Sequence, residues 1–233
     1  MTSPTPRRPQ GGPPLLAPAI AYGALMIAAA ALAAGVPHPD APAAAFLSYD
    51  QSHQTVIQVS GTLAFAAAAP LAIWTATAYR RLRTLGITAP GAVIGLSGGL
   101  LAAASLAMSG LIGWTASQLG GANSPELARA LGMLWFAVGS AGFVAPAGLL
   151  VAGVAVPSLF LRLTWRPLAW AGLAVAAISL LSTFTLLAPA LDATLPVGRF
   201  GSLIWLVIVS VTLPRSRHEA ARPNGQEAQK VAA

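Results

Sequence analysis

Six apolar stretches, each about as long as a bilayer is thick, occupy most of this sequence and leave it few ways to fold. A hydrocarbon core of about 30 Å takes about 20 helical residues to cross. Residues 15–36, 56–79, 91–119, 124–156 and 167–188 meet that length, and 197–213 is the shortest of the six. Only 8% of the 233 residues are charged and 56% are hydrophobic, with a mean hydropathy of +0.71. A soluble domain carries about a quarter charged residues, so this much apolar surface has lipid as its solvent. The stretches are too long and too alanine-rich for membrane strands and do not alternate strictly, so the predicted fold is an all-α polytopic bundle of six spans.

Helix stops and starts support these bounds. Pro37 and Pro39 end the first run, and Arg80, Arg81 and Arg83 end the second. Gly120 and Gly121 follow the third. Ser124 is placed to cap the fourth, with Pro125 at its first position and Glu126 complementing the helix dipole. That run continues to Val156, ahead of Pro157, and exceeds what a bilayer requires, which predicts tilting or projection past the headgroups. The short polar segments 1–14 and 214–233 are expected to be disordered cytoplasmic tails flanking a membrane domain of residues 15–213.

Charge gives the orientation. With six spans, Arg7, Arg8, Arg80, Arg81, Arg83, Arg162, Arg166, Arg215, Arg217, Arg222 and Lys230 share one side, against Arg129 and Arg199 on the other. Positive residues stay inside, so both ends are expected in the cytoplasm and the protein in the cytoplasmic membrane. A cleaved signal sequence at the first run is the competing expectation, although that run is longer than a usual signal core. The +7 net charge resides in these short connections, so no nucleic-acid partner is expected. The absence of cysteine excludes disulfides, thiolate metal sites and cysteine nucleophiles.

Acids are as unevenly placed as arginines. Asp40, Asp50, Glu126 and Asp192 fall on the non-cytoplasmic side, together with His38 and His53. Asp50, Glu126 and Asp192 are the candidate general acids of a membrane enzyme acting on a lipid or isoprenoid. His38, Asp40, Asp50 and His53 are acceptable ligand types for zinc, but their spacing matches no metal motif, so neither a metal nor another cofactor is assigned. Gln51, Thr55, Gln58 and Thr62 lie four, three and four residues apart, with Asp50 and Gln54 at their mouth. Such a stripe is expected to face the bundle interior, where it would bind a ligand or join helices.

Gly91, Gly95, Gly99, Ala103 and Ala107 repeat every four residues and predict close helix packing within the chain. Trp114, Trp165 and Trp170 fall near span ends as interfacial anchors, while Trp74, Trp135 and Trp205 fall deeper and are expected to pack. No basic or acidic residue lies near the centre of a predicted span, which argues against an ion-coupled pump. No nucleotide loop, zinc-protease pair, serine-hydrolase elbow or dinucleotide fingerprint is present.

Residues 45–54 (AFLSYDQSHQ), the arginine turn at residues 79–83, residues 165–173 (WRPLAWAGL) and residues 198–215 (GRFGSLIWLVIVSVTLPR) carry a resemblance. Together they make the chain similar to a loose family of bacterial six-helix membrane proteins, a domain of unknown function common in actinobacteria. The resemblance implies a six-helix topology and no activity. The leading functional expectation is a membrane protein that holds a lipid, a small apolar ligand or a partner in its bundle. A lipid-acting enzyme and a transporter or accessory subunit of a membrane complex are the alternatives.

Overall fold

The computed structural model describes residues 14–118 and 123–214. The two terminal segments expected to be disordered lie almost wholly outside the described residues, as do Gly120 and Gly121. Among the described residues the chain is helical, with no strand. Its helices are α1 (Leu16–Leu32, with a 3-10 turn Ala33–Gly35), α2 (Ala43–Ser52), α3 (Gln54–Thr84), α4 (Pro90–Gln118), α5 (Pro125–Gly139), α6 (Ala141–Phe160), α7 (Arg166–Leu181, with a 3-10 turn Ser182–Leu186) and α8 (Thr194–Thr212). Counting α5 and α6 as one, six helical units among the described residues are long and apolar enough to cross a membrane.

The arginine turn ends α3, and the Arg81 guanidinium donates to the Leu213 carbonyl (3.2 Å), tying the end of α3 to the end of α8. The cap at Ser124 forms as the sequence predicts, its Oγ accepting from the Leu127 amide at 3.4 Å. Trp114, Trp165 and Trp170 are exposed close to helix ends. Trp74 and Trp205 are buried, and their indole N–H groups donate to Ser210 Oγ (2.7 Å) and the Leu168 carbonyl (2.8 Å).

Small residues bring the helices together. A Cβ on Gly153 of α6 would fall on the backbone of Gly95 of α4 and 2.6 Å from the Gly91 carbonyl oxygen. One turn further along α4, the face of Gly99 is filled by Thr75 of α3. Gly110 of α4 lies against the backbone of Gly61 and Phe65 of α3. The four-residue repeat therefore packs within the chain, as expected, and α4 sits between α3 and α6. In lipid, where no hydrophobic driving force joins apolar helices, this close approach is a main source of cohesion.

Three expectations need correction. The fourth span is not one long tilted helix: it breaks at Ser140, whose backbone (φ −97°, ψ −96°) leaves the helical region. Gly139 and Ser140 form a weak pair, and Pro146 in the next turn cannot donate to the carbonyl four residues before it. Pro157 does not end the span either, because α6 absorbs it and stops at Phe160, beyond which Arg162 turns the chain with a positive φ of 51°. The first connection is not an open loop. Its ten-residue helix α2, at about 15 Å too short to span a bilayer, lays Phe46 into the space left by Gly132 of α5.

Candidate functional site

A cavity of about 530 Å³ opens at the end of the bundle that carries His38 and Asp192. Its walls come from five helices. Helix α1 offers Met26, Ala29, Ala30 and Ala33 at helical spacing, and three of these carry only a methyl group, so α1 cannot fill the space beside it. Helix α3 adds Ser60 and Ala64, and α4 adds Leu106 and Ser109. Helix α5 contributes Trp135 and Phe136 and ends at the break, where Gly139 and Ser140 also line the cavity. Leu195, Pro196, Arg199 and Phe200 of α8 close the remaining side.

The polar lining is mostly occupied by backbone. Ser60 Oγ donates to the Ala29 carbonyl (2.9 Å), Ser109 Oγ makes a long contact with the Trp135 carbonyl (3.5 Å), and Ser140 Oγ turns back to the Phe136 carbonyl. Arg199 is the exception in charge. Its Nη2 donates to the Gly139 carbonyl, and its guanidinium carbon lies 5.6 Å from the centroid of the Phe143 ring. The break explains why that carbonyl is free. In a regular helix the Phe143 amide would reach it, but the Phe143 and Val144 amides both bond Ser140 O instead (3.1 and 2.8 Å). Irregular backbone at membrane depth needs such a donor, and the arginine supplies it.

At the rim, both nitrogens of His38 face carboxylates: Nδ1 is 3.2 Å from Asp40 and Nε2 is 3.4 Å from Asp192. A ring placed this way makes two charge-assisted contacts when both nitrogens carry protons. The same ring meets Phe136 edge to face, with centroids 6.0 Å apart, and so joins the charged rim to the apolar wall.

The residues predicted for the site are only partly gathered by the structure. Of the candidate acids, Asp192 lines the cavity, whereas Asp50 and Glu126 do not. Glu126 is exposed in the first turn of α5. Asp50 is half-buried on α2, and burial raises its carboxyl pKa to about 6. Burial, with the Asp50 carboxylate adjacent, also raises the neighbouring Tyr49 phenol. The stripe of Gln51, Gln54, Thr55, Gln58 and Thr62 does not face the interior, because all five are exposed. His53 separates α2 from α3 and so breaks the single-helix register that the spacing assumed. Gln51 instead bonds Asn123 (3.0 Å), and Thr62 Oγ1 returns to the Gln58 carbonyl (2.8 Å). The interior face of α3 is Ile57, Ser60, Gly61 and Ala64. The histidine and acid loop gathers only in part: His38 meets Asp40, His53 stacks on Tyr49, and no group of three or more His and acid side chains among the described residues is arranged to hold a metal.

Arg199 is the residue sequence reasoning passed over. In the charge pattern it is one basic residue of its side, yet an arginine in the second turn of an otherwise apolar span is costly unless something receives it. Trp135, Phe136 and the alanines of α1 carry no such signal.

The raised Asp50 pKa has a consequence for stability. The folded protein holds this proton more tightly than the unfolded chain, whose carboxyl titrates near 3.8. Asp50 therefore destabilises the fold progressively as pH rises from about 4 through about 6, by about 1 kcal/mol once solvent screening of a half-exposed group is allowed for. Asp50→Asn is expected to raise the melting temperature in detergent at neutral pH and to lose this advantage near pH 4. An advantage of equal size at both pH values would contradict the burial argument.

No family model, no curated protein and no solved structure matches this chain, so the chemistry of the cavity is read from its own residues.

Proposed function

We propose that this chain is a multi-pass protein of the bacterial cytoplasmic membrane that takes a small, largely apolar ligand into the cavity at its His38 end. The distribution of arginines supports an orientation with both chain ends in the cytoplasm, so the cavity opens on the opposite side. The likeness to actinobacterial six-helix proteins belongs to the same proposal and supplies topology alone.

The observation that carries the reading is the cavity. Its volume falls within the roughly 300–1,000 Å³ of small-molecule sites, and its walls are alanine, leucine, methionine and aromatic side chains with few polar groups. Catalysis finds less support, because Asp192 alone of the three candidate acids lines the cavity, and its carboxylate already faces His38.

Photo-crosslinking in nanodiscs tests the proposal. Diazirine derivatives of octanol and octanoate are expected to label α1 from Met26 to Ala33 and α5 from Gly132 to Gly139, saturably, with unlabelled probe competing. Ala30→Phe and Ala64→Phe fill the space and are expected to abolish that labelling while the melting temperature stays near that of the parent. Labelling by both probes confined to outward residues such as Leu101 and Met108, with no saturable component, would sink the proposal.

The polar stripe on the outer face of α3 favours a second reading, as a subunit of a membrane complex. Exposed glutamine and threonine at a lipid-facing surface gain by hydrogen-bonding a neighbouring helix. Gln58→Leu would then shift a larger native assembly toward monomer on blue-native gels, and an unchanged mobility would count against this reading.

A further inference from the structure

Arg199 has more hydrogen-bonding capacity than its surroundings use. A guanidinium carries five N–H donors, and among the described residues this one donates a single hydrogen bond, to the Gly139 carbonyl, and lies over an aromatic face. Among the described residues no carboxylate is in ion-pair contact with it; the rim acids Asp40 and Asp192 are engaged with His38 instead. Gly139 lies one helical turn beyond Phe136, the ring that meets the rim residue His38, so the guanidinium sits at the inner end of the cavity. Helix α6 alone, at twenty residues or about 30 Å, is long enough to cross a bilayer, so the break that Arg199 reaches lies toward the His38 end of the fourth span.

An arginine in an apolar bundle is normally partnered, and the Gly139 carbonyl, the nearby Tyr22 phenol and the Phe143 ring bring it no carboxylate. Because the side chain lines the cavity, the compensating group is supplied from the cavity. We infer that the ligand is a small amphiphile with a single anionic head, of the carboxylate class, whose head meets the Arg199 guanidinium and whose alkyl body lies against Met26, Leu106, Trp135 and Phe136. This rests on the cavity reading above and adds the charge of the occupant. The planar fork of a guanidinium matches the two oxygens of a carboxylate. The rim favours one negative charge over several: the acidic side chains Asp40 and Asp192 stand beside His38 at the entrance, so each further negative charge on a head adds repulsion there.

The experiment compares octanoate and octanol as competitors of the photo-probes in nanodiscs, on the wild-type chain, Arg199→Gln and Arg199→Lys. Wild type is expected to prefer octanoate by about tenfold or more, Arg199→Gln to bind the two equally while still taking octanol, and Arg199→Lys to keep part of the preference. Equal competition in wild type overturns this inference and leaves the cavity reading standing. A preference that survives in folded Arg199→Gln also overturns it, since another group would then hold the head. Absence of saturable labelling by either probe removes the cavity reading and this inference together. The wild-type comparison needs no variant, so a fold lost in Arg199→Gln does not protect the inference.

Discussion

Gly153→Leu is expected to yield no folded bundle. Even the first carbon of a side chain at this position would coincide with the Gly95 backbone, and the Gly91 carbonyl is 2.6 Å away. Backbone on a packed helix cannot rotate aside as a flexible side chain does, so α4 and α6 would have to separate along their whole contact. The expected result is aggregation or a broad, void-volume peak on size exclusion, with little protein recovered. Gly91→Ala is the control on the same ridge. Its Cβ would meet the Gly153 carbonyl and Pro157 only at ordinary distances of 3.7 Å, and alanine gains up to about 1 kcal/mol of helix propensity over glycine. It should remain monodisperse and melt at or above the parent temperature. Normal folding of Gly153→Leu would mean that the α4–α6 crossing is wrongly placed.

Trp74→Ala is expected to cost about 3–5 kcal/mol, as removal of a large, fully packed side chain does. Trp74 is 1% exposed in the centre of α3, and its indole N–H anchors to Ser210 of α8, a residue 136 positions away in sequence. Truncation leaves a void beside α8 that lipid cannot enter, so the lost contacts are not recovered. Trp74→Phe keeps most of the bulk and loses the hydrogen bond, for an expected loss nearer 1–2 kcal/mol. Reversible unfolding in mixed detergent measures both, and equal losses for the two variants would assign the effect to the hydrogen bond rather than to packing.

Why some of this architecture was legible from residues alone, and some was not, follows from the physics of each signal. Span length, the Ser124 cap and the four-residue glycine repeat are local properties, set by bilayer thickness, an orphan amide and the width of a backbone, and each appears in the fold. The break at Ser140 was hidden because glycine, serine and proline are common in membrane helices and only packing decides which of them bends. The glutamine and threonine stripe misled because period alone fixes a face and not the direction it points. Here Ser60, Gly61 and Ala64, smaller and less conspicuous, are the residues that let neighbours approach. Asp192 and His38 were recognisable as groups at one end, but their convergence depends on the connection after α1 meeting the turn before α8. Arg199 was the readable signal left unread.

The cavity and its side of entry are tested most directly by cysteine accessibility, which the cysteine-free chain permits without background. Ala30→Cys lines the cavity, and Ala104→Cys, on the exposed face of α4, serves as the lipid-facing reference. On intact cells, a small membrane-impermeant anionic thiosulfonate is expected to modify Ala30→Cys and to leave Ala104→Cys unmodified, with octanoate slowing the reaction. Modification of Ala30→Cys only after the cytoplasmic face is exposed, or no modification from either side, would contradict an outward-opening, ligand-accessible cavity.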